Sequence, residues 1–508
     1  MLSQPQLRTF EHRYFLSMID KDDPQVIPDL HAQNIENWII RDRGQLETRD
    51  GLTARGTSPS KTNLGAAVLY QAGQSPLMIR VLDGAANTAK FQQSSNGSTW
   101  SDISGGGSKT TGAKWIMVQA NNSLYGVNGY DTPVKINNTG ISTVAAIPIG
   151  TAIEWWKNFL WVIGVSAYPD RAYFSSASDP ETFGGSDYIN VNLGDASPGV
   201  GLKGTPGLTG RLYIGKARSV WYINGTASAN FALNPLTYEH GVASHESMIE
   251  VENDIWCVDL EGNIRAMYRT TEDNPFSTIK SSDIMYTVSG LNRSSIRKSA
   301  AVYYNGFAMF FVPYGVDDYN SLVLVWDTLA NERKGGWSKF TGWKIARAVA
   351  FNETQPKLYL HDARTGNGQT YDWSGTSDNG IAITAKYETK VYDHGAPERL
   401  KVWRFAWQFA PALGSYSMKF YVSIDRYYYT LLKTISLAGT GNKRLGVDWT
   451  LGTDALGSSG FVSEQVRYTD AGGNDTGYTQ QVKLEAESTA AKIKIRQFTS
   501  HYRVLGLR

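Results

Sequence analysis

A single cysteine, Cys257, occurs in 508 residues, which excludes an intramolecular disulfide and any zinc site built on clustered thiolates. Histidine is sparse as well, with seven residues scattered along the chain. His240 and His245 flank Gly241 at a spacing unlike that of a helical zinc-binding pair, so neither a metal nor a cofactor is expected. An excess of one charge is also missing: 49 Lys and Arg stand against 47 Asp and Glu. That balance is not the footprint of a protein that grips nucleic acid through its phosphates. Long hydrophobic runs are absent too. Stretches such as Phe307–Pro313 are far too short to cross a bilayer, and Met1–Ile19 carries charges throughout, with no apolar core of signal-peptide length. The expectation is a soluble chain made in the cytoplasm. Catalytic signatures are lacking: there is no G-x-S-x-G elbow and no phosphate-binding G-x-x-x-x-G-K-[ST] loop. The carboxylate pairs Asp317-Asp318 and Asp179/Glu181 lie among turn residues and read as turn-makers. A Ser-His-Asp triad stays open, and the expectation is that the protein is not an enzyme.

What is plentiful points to β-structure. Fifteen Trp, 28 Tyr and 18 Phe suit pleated, half-buried surfaces, and 50 Gly suit many tight turns with positive φ. From Ala152 to Trp373 one pattern recurs: short apolar strand, polar turn, strand, and an aromatic near the end of the unit. Examples are Leu212–Gly215 with Ser219–Gly225, Ile249–Val251 with Asp254–Asp259, and Ala300–Tyr304 with Phe307–Pro313. Strands joined by Asn-Gly, Glu-Gly-Asn and Gly-Gly turns at a period of roughly 40 residues are a propeller signature. Earlier units at Ala67–Trp100, Trp115–Ile136 and Ile153–Val191 and a later one at Arg347–Trp373 bring the expected count to about seven blades. By its position, Ile35–Arg49 is expected to supply the strand that closes the ring.

The pattern changes at Gly375–Gly380. Beyond it Trp403, Phe405, Trp407 and Phe409 alternate with Val402, Arg404, Ala406 and Gln408, then Met418, Phe420, Val422 and Ile424 with Lys419, Tyr421, Ser423 and Asp425, so each strand has one buried and one wet face. The fold expected is therefore all-β: an N-terminal arm over 1–34, a β-propeller over 35–380 and a C-terminal β-sandwich over 381–508, with loops at Leu437–Gly460 and Asp470–Tyr478. A short helix is expected within Leu7–Ile19, with Pro24 and Pro28 ending it.

Two local features bear on function. Ser95–Trp100 resembles a worn sialidase-type Asp-box, but it occurs once and its Asn96 and Gly97 are adjacent; the alternative is a hairpin turn whose Trp closes a blade. The aromatic runs Trp155-Trp156 and Tyr427-Tyr428-Tyr429 place rings on both faces of their strands. One ring of each set is expected in the core, and the other either packs on a neighbouring blade or forms a subunit interface, for which these five residues, with the N-terminal arm, are the candidates.

A series of short motifs follows in order: Asn37 … Gly44-x-Leu46-x-x-Arg49-x-Gly51; Tyr173-x-Ser175 … Asp179-Pro180-x-x-Phe183; Leu212-Tyr213-Ile214 with Ser219-Val220; Asp259-x-x-Gly262-x-Ile264; Leu324–Asp327 then Trp337; Leu358-Tyr359-Leu360 then Tyr371-Asp372-Trp373; Thr389-Lys390 ahead of Lys401-Val402-Trp403. In this order residues 35–508 resemble the tail nozzle, or packaged-DNA stabilisation, proteins of short-tailed bacteriophages. The resemblance implies a homohexameric ring in the virion tail, assembled in the host cytoplasm below the portal and adaptor. Such a ring contacts tail fibre or spike proteins and the host envelope, and it forms the DNA-ejection channel that retains the packaged genome without sequence-specific binding. The alternatives are a propeller-based glycan-binding or sialidase-like protein and a cellular propeller scaffold. Repeated Asp-boxes would favour the former and repeated Trp-Asp signatures the latter; neither is present.

Overall fold

A computed structural model of the chain describes residues 7–41, 44–84, 88–195, 197–267, 279–352, 355–411, 417–436, 461–467, 475–489 and 492–505. Among these, strands dominate and helices are short. Small antiparallel sheets follow one another along the chain, built on Asn63–Leu69, Ile116–Ala120, Ala152–Trp156, Gly199–Gly204, Ile249–Val251, Ala300–Tyr304 and Ile345–Asn352 as first strands. Each first strand lies against the next one or against the His245–Ser247 turn between them, and the last meets the first. This is the ring of a β-propeller. The turns that make it follow from residue chemistry. Asn305 and Gly306 both take positive φ, 49° and 79°, as a two-residue hairpin between Ala300–Tyr304 and Phe307–Pro313 requires.

The seam is closed by Leu52–Arg55, which pairs with Thr370–Trp373 of the last sheet, and not by Ile35–Arg49. Those earlier residues go elsewhere for a packing reason. Ile35, Trp38, Ile40 and Leu46 are buried in one core with Tyr387, Trp403, Leu484 and Ile495, and Ala32–Glu36 pairs with Ile381–Thr389 while Gln45–Thr48 pairs with Lys494–Ile495.

Beyond residue 380 two sheets share that core. One carries Ala32–Glu36, Ile381–Thr389, Gln480–Ser488, Ser417–Ile424 and Thr430–Ser436; the other carries Leu7–His12, Gln497–Val504, Lys401–Pro411 and Phe461–Arg467. The same core runs on without a break to Phe310, Leu324 and Trp337 of the ring. The side chains of Phe405, Trp407 and Phe409, the loop expected at 437–460 and residues 470–474 of the loop expected at Asp470–Tyr478 lie outside the described residues. Within the latter, Thr476–Gly477 is a short strand that pairs with Lys401 and Val402.

The expected helix in Leu7–Ile19 is a strand instead: Leu7–His12 pairs antiparallel with Gln497–Val504, and the pairing of His12 and Phe15 with buried aromatics outweighs the weak local helix preference. Phe15, Met18 and Ile27 are wholly buried. The N–H of Met18 donates to Trp337 O, and the N–H of Trp337 donates to Ser17 Oγ. Asp20 accepts from the N–H groups of Tyr286 and Thr287 at the start of a short helix of the ring. The arm over 1–34 is therefore a clamp within the chain from Leu7 onward.

Candidate functional site

The ring axis is lined by charge. Charged side chains sit within first strands or the turn beside them: Glu154 in Ala152–Trp156, Lys203 in Gly199–Gly204, Arg347 in Ile345–Asn352, and Glu246 in His245–Ser247. Such residues interrupt otherwise apolar strands, and a first strand facing an axis is where a charge can avoid the inter-sheet cores. Arg347 Nε lies 2.5 Å from Glu246 Oε1, its Nη1 donates to Trp115 O at 2.6 Å, and Glu246 Oε2 is 3.2 Å from Lys114 Nζ. Lys203 Nζ is 3.1 Å from Glu154 Oε1. Gly65 permits the closure, because a Cβ there would stand 2.9 Å from Trp115 O and 3.3 Å from Arg347 Nη1. His245 accepts the N–H of Leu202 through Nδ1 at 3.2 Å. Burial, reinforced by Lys203 and Arg347, pulls its pKa down to about 3, so the ring is neutral at physiological pH.

Lys203, His245, Glu246, Glu250 and Arg347 line a cavity of about 380 Å³. Of its two carboxylates, Glu246 is tied to Arg347 and Lys114, and Glu250 has no ion pair among the described residues; Lys203 and Glu154 cross-link two neighbouring sheets beside it. Arg347 Nη2 has no hydrogen-bond partner among the described residues.

A second polar cluster joins the ring to the C-terminal sheets. Arg49 is buried, and its Nη1 and Nη2 meet the two oxygens of Asp378 at 2.8 and 2.6 Å. Its Nε donates to Asn37 Oδ1 at 2.8 Å, Nη2 also donates to Thr341 O, and the guanidinium carbon lies 4.8 Å from the Trp343 ring centre. Asn37 takes positive φ, 59°, and donates to Thr341 Oγ1 and Thr384 O. Gly51 abuts Ser377, whose carbonyl oxygen a Cβ would approach to 2.0 Å. Asn37, Arg49 and Gly51, which open the series of motifs, are thus parts of one joint.

The five candidate interface residues separate. Trp156 is buried with Trp161, Leu202 and Leu212, and its Nε1 donates to Thr205 O at 3.1 Å. Trp155 packs half-buried against Ile116, Tyr125 and Leu160. Both pack in seams between adjacent sheets of the same chain, the alternative to a subunit interface. Tyr429 is turned inward, its OH 3.5 Å from Glu388 Oε2, and burial raises its pKa. Tyr427 and Tyr428 alone project, 74% and 81% exposed, at the tip between Ser417–Ile424 and Thr430–Ser436. Their rings stand edge to face at 6.5 Å. The tip is held: Asp425 Oδ1 accepts from the N–H groups of Tyr478 and Thr479, and Arg426 Nη1 reaches Asp23 Oδ2 of the arm at 2.8 Å.

The remaining candidates are structural. Asp179 accepts the N–H of Glu181, and Glu181 is taken by Lys135 and by the Tyr125 hydroxyl. Asp318 pairs with Lys298 at the surface. In the Asp-box-like turn, Asn96 Oδ1 accepts from the N–H groups of Ser98 and Thr99, and Trp100 Nε1 donates to Gly97 O. Among the described residues no group of His, Cys, Asp and Glu is placed to hold a metal.

No family model and no curated protein matches the chain. Among solved structures it is similar to YCF48 bound to a D1 peptide, at 11% identity and a TM-score of 0.37 over 64% of this chain and 96% of that one. It is similar to the WD40 domain of Toxoplasma gondii coronin at 9% and 0.27, over 76% and 73%. An exo-beta-1,3-galactanase from Phanerochaete chrysosporium is similar at 9% and 0.27, over 89% and 100%. At such identities and TM-scores the likenesses carry no argument about activity.

Proposed function

We propose that this chain is a non-enzymatic structural subunit of a short-tailed bacteriophage tail: a seven-bladed propeller with a C-terminal β-sandwich, assembling into a hexameric nozzle ring. That ring sits below the portal and adaptor, carries the ejected DNA and retains the packaged genome. The observation that carries this reading is the ordered series of motifs from Asn37 to Trp403, the first of which makes the Asn37–Arg49–Asp378 joint. The ion pairs across the propeller axis support it from another side. With Glu246 held by Arg347 and Lys114, the axis of one subunit is a cross-linked core, so DNA passes between subunits. A near-neutral chain, 49 basic against 47 acidic residues, keeps the phosphate-binding term small, as sliding DNA requires. Glycan hydrolysis, the competing reading, would need two carboxylates placed to flank a bond; of the two that line the axial cavity, Glu246 is held by Arg347 and Lys114.

Electron micrographs of the purified protein, alone and mixed with its portal–adaptor complex, test the proposal. Closed sixfold rings docked on the complex are the expected result. Monomers under both conditions, or turnover of bacterial surface glycans, would overturn it.

A further inference from the structure

The described chain buries four arginines in its cores and seams: Arg49, Arg80, Arg265 and Arg347. Three of them meet a carboxylate, Arg49 with Asp378 at 2.6 Å, Arg265 with Asp259 at 2.6 Å and Arg347 with Glu246 at 2.5 Å. Arg80, only 3% exposed on Leu77–Leu82, is different. Its Nε and Nη2 donate to the neutral amide oxygen of Gln92 at 2.9 and 2.7 Å, and Nη1 reaches Thr370 Oγ1 at 3.3 Å. Its guanidinium carbon stacks 4.0 Å from the Trp100 ring centre. Among the described residues no carboxylate lies within ion-pair distance of it. A guanidinium carries five N–H groups, so two remain unused. Burial draws its pKa down to about 10, against an opposing pull from Asp102. A buried charge without a counter-charge is costly, and this one persists.

Arg80 lines an open groove of about 510 Å³ at the seam between the first and last sheets, together with Lys61, Lys90, Gln92, Ser98 and Trp100. Lys61 is exposed and has no side-chain partner among the described residues. Lys90 is held only by an exposed pair with Asp102 at 3.1 Å, which is weak and can be exchanged. Two carboxylates are near. Asp102 accepts from Gln92 Nε2 as well as Lys90, and Asp83 lines the groove while accepting the N–H of Gly112. Three cations against two anions leave one positive charge unmatched, at the arginine. Nearby His361, whose Nδ1 faces Thr370 Oγ1 at 3.2 Å, adds no charge, because burial lowers its pKa to about 3.

We propose that this seam groove is a binding site for the oxyanion of a small polar ligand of monosaccharide size, with Arg80 as the buried counter-charge and Lys61 and Lys90 as the rim. The anion completes the guanidinium's unused N–H set through charge-assisted bonds, and Gln92, Ser98 and Trp100 offer contacts to a hydroxylated ring. The volume exceeds that of a bare oxyanion and falls within the range of small-molecule pockets. The site shares no lining residue with the propeller's axial cavity.

Titration calorimetry on the full chain at fixed ionic strength tests it, with inorganic phosphate, glucose 6-phosphate, glucuronate and glucose as probes. Saturable binding of glucose 6-phosphate or glucuronate, with glucose inert, is expected. Preference for the first identifies a phosphorylated source and preference for the second a uronic acid source. Arg80→Gln should weaken binding by at least about tenfold, the worth of a charge-assisted contact. Because that buried change can disturb folding, the exposed Lys61→Ala carries the test independently and should weaken binding several-fold with unchanged thermal stability. No saturable binding of any anionic probe at millimolar concentration, glucose binding as well as glucuronate, or an unaltered affinity in Lys61→Ala would each overturn the proposal.

Discussion

At the residue scale, buried histidines set how this protein responds to acid. His12 ends the Leu7–His12 strand between two hydroxyls, Tyr392 at 3.0 Å from Nδ1 and Tyr387 at 3.1 Å from Nε2, and stacks on Phe498 at 4.7 Å. Burial lowers its pKa from 6.5 to about 3. Below pH 6.5 the unfolded chain takes up a proton that the folded chain refuses until about pH 3. The stabilisation is therefore complete above pH 6.5 and falls away as the pH drops through that window. Each pH unit crossed inside the window costs about 1.4 kcal/mol, so at about pH 5 the loss from His12 alone is about 2 kcal/mol. His245 and His361, lowered to about 3, and His240 and His394, lowered to about 4, act in the same direction. Thermal unfolding between about pH 7.5 and about pH 5 should show a clear drop in Tm for the native chain. A smaller drop is expected for His12→Gln, whose amide can still bridge the two hydroxyls. Equal drops in both would refute the assignment. None of this was legible in the sequence, where His12 lies in a charged stretch with no apolar alternation to mark it as interior. The same holds for Arg49 and Arg80, because a long cationic side chain is ordinarily a surface residue and only tertiary structure reveals its partners.

At the element scale, the arm and the closing strand decide how the chain holds together. The strands of the ring are readable because turn chemistry is local: Asn305-Gly306 and Glu261-Gly262-Asn263 announce hairpins whatever surrounds them. The closing strand is not, since Leu52–Arg55 and Trp38–Arg41 are equally short, and the choice between them is made by distant partners. Leu52–Arg55 finds Thr370–Trp373, with Arg55 ion-paired to Asp372, while Trp38 is drawn into the core beside Tyr387. The arm illustrates the same limit. Its Phe15, Met18 and Ile27 are each wholly buried, and losing one such side chain costs roughly 2–5 kcal/mol. Removing residues 1–34 should therefore destabilise the C-terminal sheets, contrary to the behaviour of a loose assembly arm. Hydrogen exchange should accelerate over Ile381–Thr389, Ser417–Ile424 and Gln497–Val504 while strands such as Phe159–Ile163 on the far side of the ring stay protected. Unchanged exchange over those C-terminal strands would show that the clamp contributes nothing. A protease should also find Gly375–Gly380 resistant, because Asn379 N–H bonds Leu52 O and Ser374 N–H bonds Gly51 O across the joint.

At the scale of the whole molecule, the proposed ring has to draw its subunit contacts from the surface. A closed ring built from identical chains needs two different patches on each, related by a rotation that closes. Trp155 and Trp156 pack in seams between sheets and the arm packs as a clamp, so among the candidates from the sequence the aromatic hairpin tip remains to supply one patch of the proposed ring. Tyr427 and Tyr428 are suited to it on energetic grounds. Large exposed tyrosines are enriched at binding hot spots, and their tip is already fixed by Asp425 and by the Arg426–Asp23 pair. Little conformational freedom remains to be lost when a neighbour docks. The double change Tyr427→Ser, Tyr428→Ser leaves the inward Tyr429 untouched, so it should preserve the fold. Assembly, followed by native mass spectrometry across a concentration series, should shift toward monomer, with each truncated hot-spot side chain costing about 1–2 kcal/mol, and thermal stability of the monomer should stay unchanged. A ring population identical to that of the native chain would remove the hairpin tip from the interface. It would leave that patch to be sought elsewhere on the surface, for example at the turn before Arg171–Phe174, where Tyr168 and Arg171 stack at 4.0 Å.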